Sequence, residues 1–172
     1  MDHEKIVIQS SRITLKPFTA HDAEESYACI TPTLTRFMSW EPPENRQVYE
    51  GIWQTWIKHI AEGSEYVFVI RHAESGEFLG LGGFHDVQSQ TPELGIWIRE
   101  NQHGYAYGKD AVTAIANWAS SNFDFEHFIY PVAIENHASC RIAESLNGIA
   151  MYCTQKQKYK AVTYFIAKNK QD

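Results

Sequence analysis

The sequence lacks an excess of positive charge and a long apolar run. Its 172 residues include 15 Lys and Arg against 21 Asp and Glu, a formal net charge of −6. Proteins that bind nucleic acid by neutralising phosphates need a basic face, so this balance argues against that class while allowing a local basic site. The apolar runs are far shorter than the roughly 20 residues that cross a bilayer. The N-terminus has no apolar segment after a basic start, so we expect neither secretion nor membrane insertion.

Cysteine is also scarce. Cys29, Cys140 and Cys153 are an odd number and show no C-x-x-C spacing. This usage favours free thiols in a reducing compartment over a disulfide framework. We therefore expect a cytoplasmic protein.

The spacings typical of metal and nucleotide sites are missing. The eight histidines form no H-x-x-x-H or H-x-x-E-H pair, and no His/Cys cluster has metal-ligand spacing, so we expect no metal. The segment from Gly104 to Asp110 fails the Walker A pattern, because Asp110 replaces the Ser or Thr that binds magnesium. The glycines from Gly80 to Gly83 fail G-x-G-x-x-G, because His85 occupies the last position.

The composition, 44% apolar and 21% charged, is that of a globular chain, and no linker or repeat divides it. We therefore predict one mixed α/β (α+β) domain over residues 1–172. A helix start at Thr19 and a second helix from Pro43 to Glu62, with Val48, Ile52, Trp56 and Ile60 on its apolar face, are predicted from caps and spacing. The other predicted elements are strands over 6–9, 13–15, 65–71, 78–87, 91–98, 127–134, 149–152 and 162–167, and helices over 110–120 and 137–146.

One loop is typical of an anion site. Small residues alternate at Gly104, Ala106 and Gly108 between a predicted strand and a predicted helix that begins near Lys109. Small residues let backbone N–H groups approach an anion, and a helix N-terminus adds its positive end. The alternative interpretation is a flexible loop capped by a solvated lysine.

The stretch from His103 to Val112 resembles the acetyl-CoA pyrophosphate loop of the GNAT superfamily, Q/R-x-x-G-x-G/A. It is closer to the W-G-x-G-Y-A-T-E-A form of the RimJ- and RimL-type amino-terminal acetyltransferases, with His103 at the Q/R position and Ala106 at the central glycine. Residues 11–18 resemble the opening strand of that group, residues 93–98 resemble its E-I-G-Y-W-I strand, and residues 136–143 resemble its N-x-A-S-x-R-V helix. These segments follow the order and spacing of that group, and together the resemblance covers almost the whole chain.

The resemblance implies a GNAT fold, with a mostly antiparallel sheet that is splayed at the cofactor site, compatible with Pro131 in the predicted strand over 127–134. It also implies acetyl-CoA as co-substrate and transfer of the acetyl group to a primary amine by direct attack in a ternary complex. The acceptor would be a protein N-terminus or a small-molecule amine, and the protein a monomer or a homodimer. The implied cofactor-binding residues are Ile96, Trp97, Ile98, His103, Gly104, Tyr105, Ala106, Tyr107, Gly108, Lys109, Asn136 and Ser139.

Two residues are candidates for the chemistry. Glu93 matches a carboxylate position of the family and would act as base, directly or through water; its alternative is an ordinary strand carboxylate in solvent. Ser139 would lie near the sulfur as proton donor or hydrogen-bond partner; its alternative is a first-turn residue that satisfies a backbone N–H. Asn136 would either cap the helix that follows or hold the pantetheine amides.

The acceptor side has three candidates, Trp40, Trp53 and His85, of which His85 would be a second base or a substrate contact. The lysines at 156, 158 and 160 are expected to form a solvated hairpin face, or otherwise to contact an acidic partner or the CoA 3′-phosphate. The competing function is a non-catalytic acyl-CoA-binding module that retains the fold with an altered loop.

Overall fold

A computed structural model describes residues 1–170 as an eight-stranded sheet with helices on both faces. The strands run in the order β1-β2-β3-β4-β5-β6-β8-β7, and every pair is antiparallel except β5–β6. The strands are β1 (Ile8–Gln9), β2 (Ile13–Pro17), β3 (Tyr66–His72), β4 (Phe78–His85), β5 (Glu93–Ile98), β6 (His127–Ala133), β7 (Ile149–Gln155) and β8 (Lys160–Ala167). The helices are α1 (Ala23–Cys29), α2 (Pro32–Thr35), α3 (Arg46–Glu62), α4 (Tyr107–Asn122) and α5 (His137–Ser145). The predicted mixed α/β architecture is confirmed, and the strands predicted over 65–71, 78–87 and 91–98 form an antiparallel meander of β3, β4 and β5.

Two hydrophobic clusters cover the two faces of the sheet. On β3, Tyr66 and Phe68 belong to the cluster that includes residues of α4 and α5, whereas Val67 and Val69 belong to the cluster that includes Leu34 of α2. This alternation follows from the two-residue period of a strand. The central strands are therefore buried on both faces, as their continuous apolar runs predict.

The sheet is splayed between β5 and β6. These strands pair at a single position, Glu93 with Ile129, and run parallel there. Pro131 lies beyond that position, so its missing N–H removes no hydrogen bond to β5. The predicted gap between the two strands is confirmed.

Helix α3 begins later than its sequence predicts. Pro43 lies outside it, and Asn45 is the N-cap, with its side chain accepting a hydrogen bond from the N–H of Val48 at 2.9 Å. The predicted apolar face is wrong at Val48 and Ile52, which are 44% and 39% exposed. Tyr49, buried by its aromatic neighbours, replaces them on the inner face.

The hairpin of β7 and β8 is confirmed, but the prediction of a solvated basic face is wrong for Lys158. Its ammonium donates to the carbonyls of Thr35 at 2.8 Å and Trp40 at 3.2 Å, and it pairs with Glu41 at 2.9 Å. The hairpin tip therefore holds the segment between α2 and α3. Lys156 and Lys160 are exposed.

Among residues 1–170, no helix is both long and apolar enough to span a membrane.

Candidate active site

A cavity of about 650 Å³ opens where β5, the start of α4, α5 and the α2 segment meet. It is lined by Thr33, Leu34, Arg36, Phe37, Met38, Ile96, Trp97, Ile98, Glu100, Gln102, His103, Gly104, Ala106, Tyr107, Gly108, Lys109, Glu135, Asn136, His137, Ala138, Ser139, Arg141, Ile142 and Ser145. Every residue expected to bind the cofactor lies on this wall except Tyr105, whose side chain is 58% exposed. The geometry thus brings together segments that are separate in the sequence.

The loop that precedes α4 has two residues with positive φ angles. Gly104 has φ +89° and Ala106 has φ +61°, in the left-handed region where glycine is favoured. Ala106 is also the N-cap of α4, which starts at Tyr107, three residues earlier than the predicted start at Asp110. The first N–H groups of a helix have no acceptor within it, so those of α4 are available at the cavity.

The His103 side chain folds back onto the end of β5. Its Nε2 donates to the carbonyl oxygen of Ile98 at 2.6 Å and so ties the loop to the end of β5. The histidine at the family's Q/R position therefore supports the shape of the loop.

An ion pair anchors the first turn of α4. The guanidinium of Arg12, the residue directly before β2, contacts the Asp110 carboxylate at 2.7 Å through both Nε and a terminal nitrogen, and lies 4.7 Å from the centre of the Tyr107 ring. The opening-strand motif and the loop motif are thus parts of one contact. Sequence reasoning missed it, although both residues lie within the family patterns.

Gly108 lets α4 approach its neighbours closely. A Cβ at this position would lie 3.1 Å from Cδ1 of Ile142 on α5. This close approach places the N-termini of α4 and α5 on the same cavity.

Ser139 on α5 shares a hydrogen bond with Tyr130 on β6, with 2.5 Å between the hydroxyl oxygens. Tyr130 is 1% exposed, and burial raises its pKa to about 12, although the bond to Ser139 acts in the opposite direction. Tyr130 therefore stays protonated and holds the Ser139 hydroxyl. Asn136 caps α5 by accepting from the Ser139 N–H at 3.3 Å. Tyr130 was missed because the strand pattern around it predicts only a core residue.

Glu93 lies on β5 opposite His85 of β4. Burial raises the pKa of Glu93, and the charge of His85 counteracts part of that rise. Burial also raises the pKa of Tyr159, and the Glu93 charge adds to it, which places the hairpin near this carboxylate. Glu93 and His85 lie outside the cavity wall, on the face of the sheet that carries Trp97.

His85 forms a pair with Glu65, a residue that sequence reasoning missed. His85 Nδ1 lies 2.7 Å from Glu65 Oε2, and the N–H of Asp86 donates to Glu65 Oε1 at 3.2 Å. Burial alone would raise the pKa of Glu65, but these bonds outweigh it and hold the pKa below its usual range. Glu65 directly precedes β3, so only the β3–β4 pairing brings it to His85.

The two tryptophans expected at the acceptor pocket lie away from the cavity wall. The Trp53 ring packs 6.2 Å from that of Phe18 in the second cluster, and Trp40 is 39% exposed, with its carbonyl bound by Lys158. The segment over 33–38 lines the cavity in their place, which no pattern in the sequence signalled.

Among the described residues 1–170, no three His, Cys, Asp or Glu side chains form a group that could hold a metal ion.

Residues 12–148 match the family model described as an acetyltransferase (GNAT) domain. The chain belongs to this family. A relative, "Uncharacterized N-acetyltransferase YoaA" of Bacillus subtilis (strain 168), is 22% identical over 139 residues, covering 79% of this chain and 78% of the relative.

Solved GNAT structures share the fold. One is the RimL ribosomal L7/L12 alpha-N-protein acetyltransferase in complex with coenzyme A: TM-score 0.84, 15% identity, 94% of this chain and 98% of that one. Another is a spermidine N-acetyltransferase from Vibrio cholerae in complex with CoA and spermine: TM-score 0.79, 15% identity, 92% and 97%. A putative ribosomal-protein-serine acetyltransferase from Vibrio cholerae has a TM-score of 0.80 at 19% identity, with 95% and 98% covered.

Proposed function

We propose that this GNAT protein transfers the acetyl group of acetyl-CoA to a primary amine by direct attack in a ternary complex. The observation that carries the proposal is the cavity at the splay of β5 and β6, which joins the loop from His103 to Lys109 with Ser139 of α5. Two of the solved structures with the same fold hold coenzyme A.

The cavity wall suits a phosphorylated thioester. It carries Arg36, Lys109 and Arg141 against Glu100 and Glu135, although the whole chain has a net charge of −6. The start of α4 adds backbone N–H groups and the positive end of a helix dipole. These groups would hold the pyrophosphate arm, and the gap between β5 and β6 would take the pantetheine chain.

Deprotonating the amine is the harder half of the chemistry. A thiolate, with a pKa near 8.5, leaves readily. An α-amine with a pKa of about 7.8 is roughly 15% neutral at pH 7, a deficit of about 1 kcal/mol, whereas a lysine-like amine at about 10.4 has a deficit of about 4.6 kcal/mol. Glu93 and His85 are register partners on β5 and β4, on the face of the sheet that carries Trp97. Glu93 would orient the ammonium, and two groups are candidates to take its proton: Glu93, directly or through water, and His85 as the second.

The leaving sulfur would lie near Ser139. Ser139 lines the cavity, and its hydroxyl is held by Tyr130, which remains a proton donor at neutral pH. Ser139 would therefore hydrogen-bond or protonate the departing thiolate.

The acceptor is either the α-amine of a protein or peptide, which we rank first, or a small-molecule amine. The RimL structures belong to an enzyme of protein N-termini, and the spermidine enzyme acts on a polyamine. We further propose a cytoplasmic enzyme, monomeric or homodimeric, because free thiols and acetyl-CoA coexist in that compartment.

The first test is calorimetric titration with acetyl-CoA and, as the matched control, with acetyl-pantetheine, which lacks the pyrophosphate arm. Micromolar binding that requires this arm, followed by thiol release with an amine panel, is the expected result. Tight binding without thiol release for any amine would favour the non-catalytic module. The observation that favours this second function is Ala106, which holds φ +61° at the position of the central glycine in the family pattern. No binding at millimolar ligand would overturn both functions.

A further inference from the structure

The Glu65–His85 pair fixes which nitrogen of the histidine is available. The Glu65 carboxylate accepts from His85 Nδ1 at 2.7 Å and from the Asp86 N–H at 3.2 Å, so both of its oxygens are engaged. A carboxylate only accepts hydrogen bonds, so Nδ1 carries the hydrogen. In the neutral ring the free lone pair is then on Nε2.

Two glycines place Nε2 over the sheet. Gly83 and Gly95 are register partners on β4 and β5. A Cβ on Gly83 would lie 2.2 Å from His85 Nε2, and one on Gly95 would lie 3.9 Å from it. The imidazole therefore occupies the space that side chains would fill at these positions.

This location is next to the candidate thioester site. Trp97 is two residues beyond Gly95 on the same face of β5, roughly 7 Å along the strand, and it lines the cavity. His85 is also open to solvent, because its side chain is 35% exposed. His85 therefore lies on the face of the sheet that leads along β5 to Trp97 at the cavity wall.

We propose that His85 Nε2 is the base that deprotonates the acceptor amine and that Glu65 is its positioning residue; this rests on the proposed acetyl transfer. His85 takes one proton from the ammonium, and the neutral nitrogen attacks the thioester carbonyl. The C–S bond then breaks, the second proton leaves the nitrogen for the sulfur, and the products are an amide and the CoA thiol. His85 returns its proton to solvent.

The chemistry favours an imidazole over the neighbouring carboxylate. Glu65 holds the Nδ1 hydrogen, so the Nε2 lone pair is fixed over Gly83 and Gly95, and a proton taken by Nε2 gives an imidazolium that is paired with the Glu65 carboxylate. The charged groups around His85 are Glu65, Asp86 and Glu93. His59 in turn acts on Glu65, and Lys156 acts on Glu93. The carboxylates attract the ammonium, and Glu93 orients it.

The test uses the full chain with acetyl-CoA and two acceptors, a peptide α-amine and a lysine-like amine. We expect His85→Ala to lower kcat on the order of 10²-fold with the more basic amine and less with the α-amine, with KM for acetyl-CoA unchanged. Added imidazole should restore part of the lost rate. His21→Ala is the matched control, because His21 is an exposed histidine on the 3-10 turn that directly precedes α1.

Glu65 and Gly83 are tested separately. We expect Glu65→Gln to lower kcat about 10-fold and to change the ring tautomer seen by ¹⁵N NMR, and Glu65→Asp to recover part of both. Gly83→Ala should displace the ring and lower kcat without changing its chemistry, whereas Gly51→Ala, with nothing within 4 Å of the new Cβ, is the control.

The outcomes separate the two proposals. No transfer by the wild-type enzyme to either amine would overturn the proposed function and this proposal with it. Wild-type transfer with His85→Ala equally active, or a loss that is the same for both amines and is not rescued by imidazole, would overturn only the role of His85. A hydrogen on Nε2 in the free, neutral enzyme would overturn the role of Glu65.

Discussion

Ala106 is the residue whose replacement gives the sharpest test of the loop geometry. It holds φ +61° and ψ 23° as the N-cap of α4, and its side chain is exposed. An L-residue in the left-handed region costs about 1–2 kcal/mol, which glycine avoids. Glycine also raises the conformational entropy of the unfolded chain, which lowers the free energy of unfolding by about 0.4–1 kcal/mol. Since the methyl group is in solvent, we expect Ala106→Gly to stabilise the protein by about 0.5–1 kcal/mol.

Thermal and urea unfolding measure this effect. For a chain of this size, 1 kcal/mol shifts Tm by about 2–4 °C, so Ala106→Gly should raise Tm by about 1–4 °C. Gly104→Ala is the matched control of opposite sign, because Gly104 has φ +89° and a Cβ there meets nothing within 4 Å. Backbone strain should cost about 1–2 kcal/mol and the lower entropy of the unfolded chain should offset about 0.4–1 kcal/mol, so we expect a net loss of about 0.5–1 kcal/mol. An unchanged or lower Tm for Ala106→Gly would refute the left-handed geometry of the loop.

Three further outcomes follow from the described contacts. Glu93→Gln should lower kcat and raise Tm at pH 7. Burial raises the pKa of Glu93, so ionisation of this carboxylate destabilises the wild type, and the neutral glutamine avoids that cost. A Tm difference that persists below about pH 4 would contradict this cause. Lys158→Met removes charge-assisted hydrogen bonds to two carbonyls, so it should lower the free energy of unfolding by about 1–3 kcal/mol. It should also speed hydrogen exchange over residues 35–41 and raise KM for acetyl-CoA several-fold. Lys160→Met is the control, and equal hydrogen exchange in the two variants would contradict the role of Lys158. Tyr130→Phe leaves Ser139 without its partner, so kcat should fall several-fold with KM for acetyl-CoA unchanged, and equal kcat would count against a role for the Ser139 hydroxyl.

Much of the fold could be predicted because its local signals agree with its packing. The capping box at Thr19 and Asp22 forms as its spacing predicts. The strand over 127–134 was predicted from a continuous apolar run, and Pro131 indicated its splayed position. In both cases neighbours along the chain carry the information.

Errors arose where tertiary contacts override local preference. Gly108 argues against a helix, yet α4 includes it because the missing side chain allows contact with Ile142. Lys158 resembles any exposed hairpin lysine, since its carbonyl partners are 118 and 123 residues away.

The candidate site divides in the same way. The cofactor loop lies within one continuous stretch, and the family motif therefore identified its residues on the cavity wall. Glu65 and Tyr130 carry no motif: each is defined only by the residue it contacts from another strand. The family motif therefore placed loop residues on the cavity wall, but no pattern identified Glu65 and Tyr130, which hold His85 and Ser139.

The Lys158 contact has a consequence for biosynthesis. A ribosome delivers residues in order, and Thr35 emerges 123 residues before the lysine that binds its carbonyl. The β7–β8 hairpin that carries this lysine also supplies β8, which completes the pairing of β6. A nascent chain that has reached only α5 therefore has the loop and helices of the cavity but lacks the contact that secures its α2 wall. The α2 wall of the cavity is thus secured late, during emergence of the last two strands.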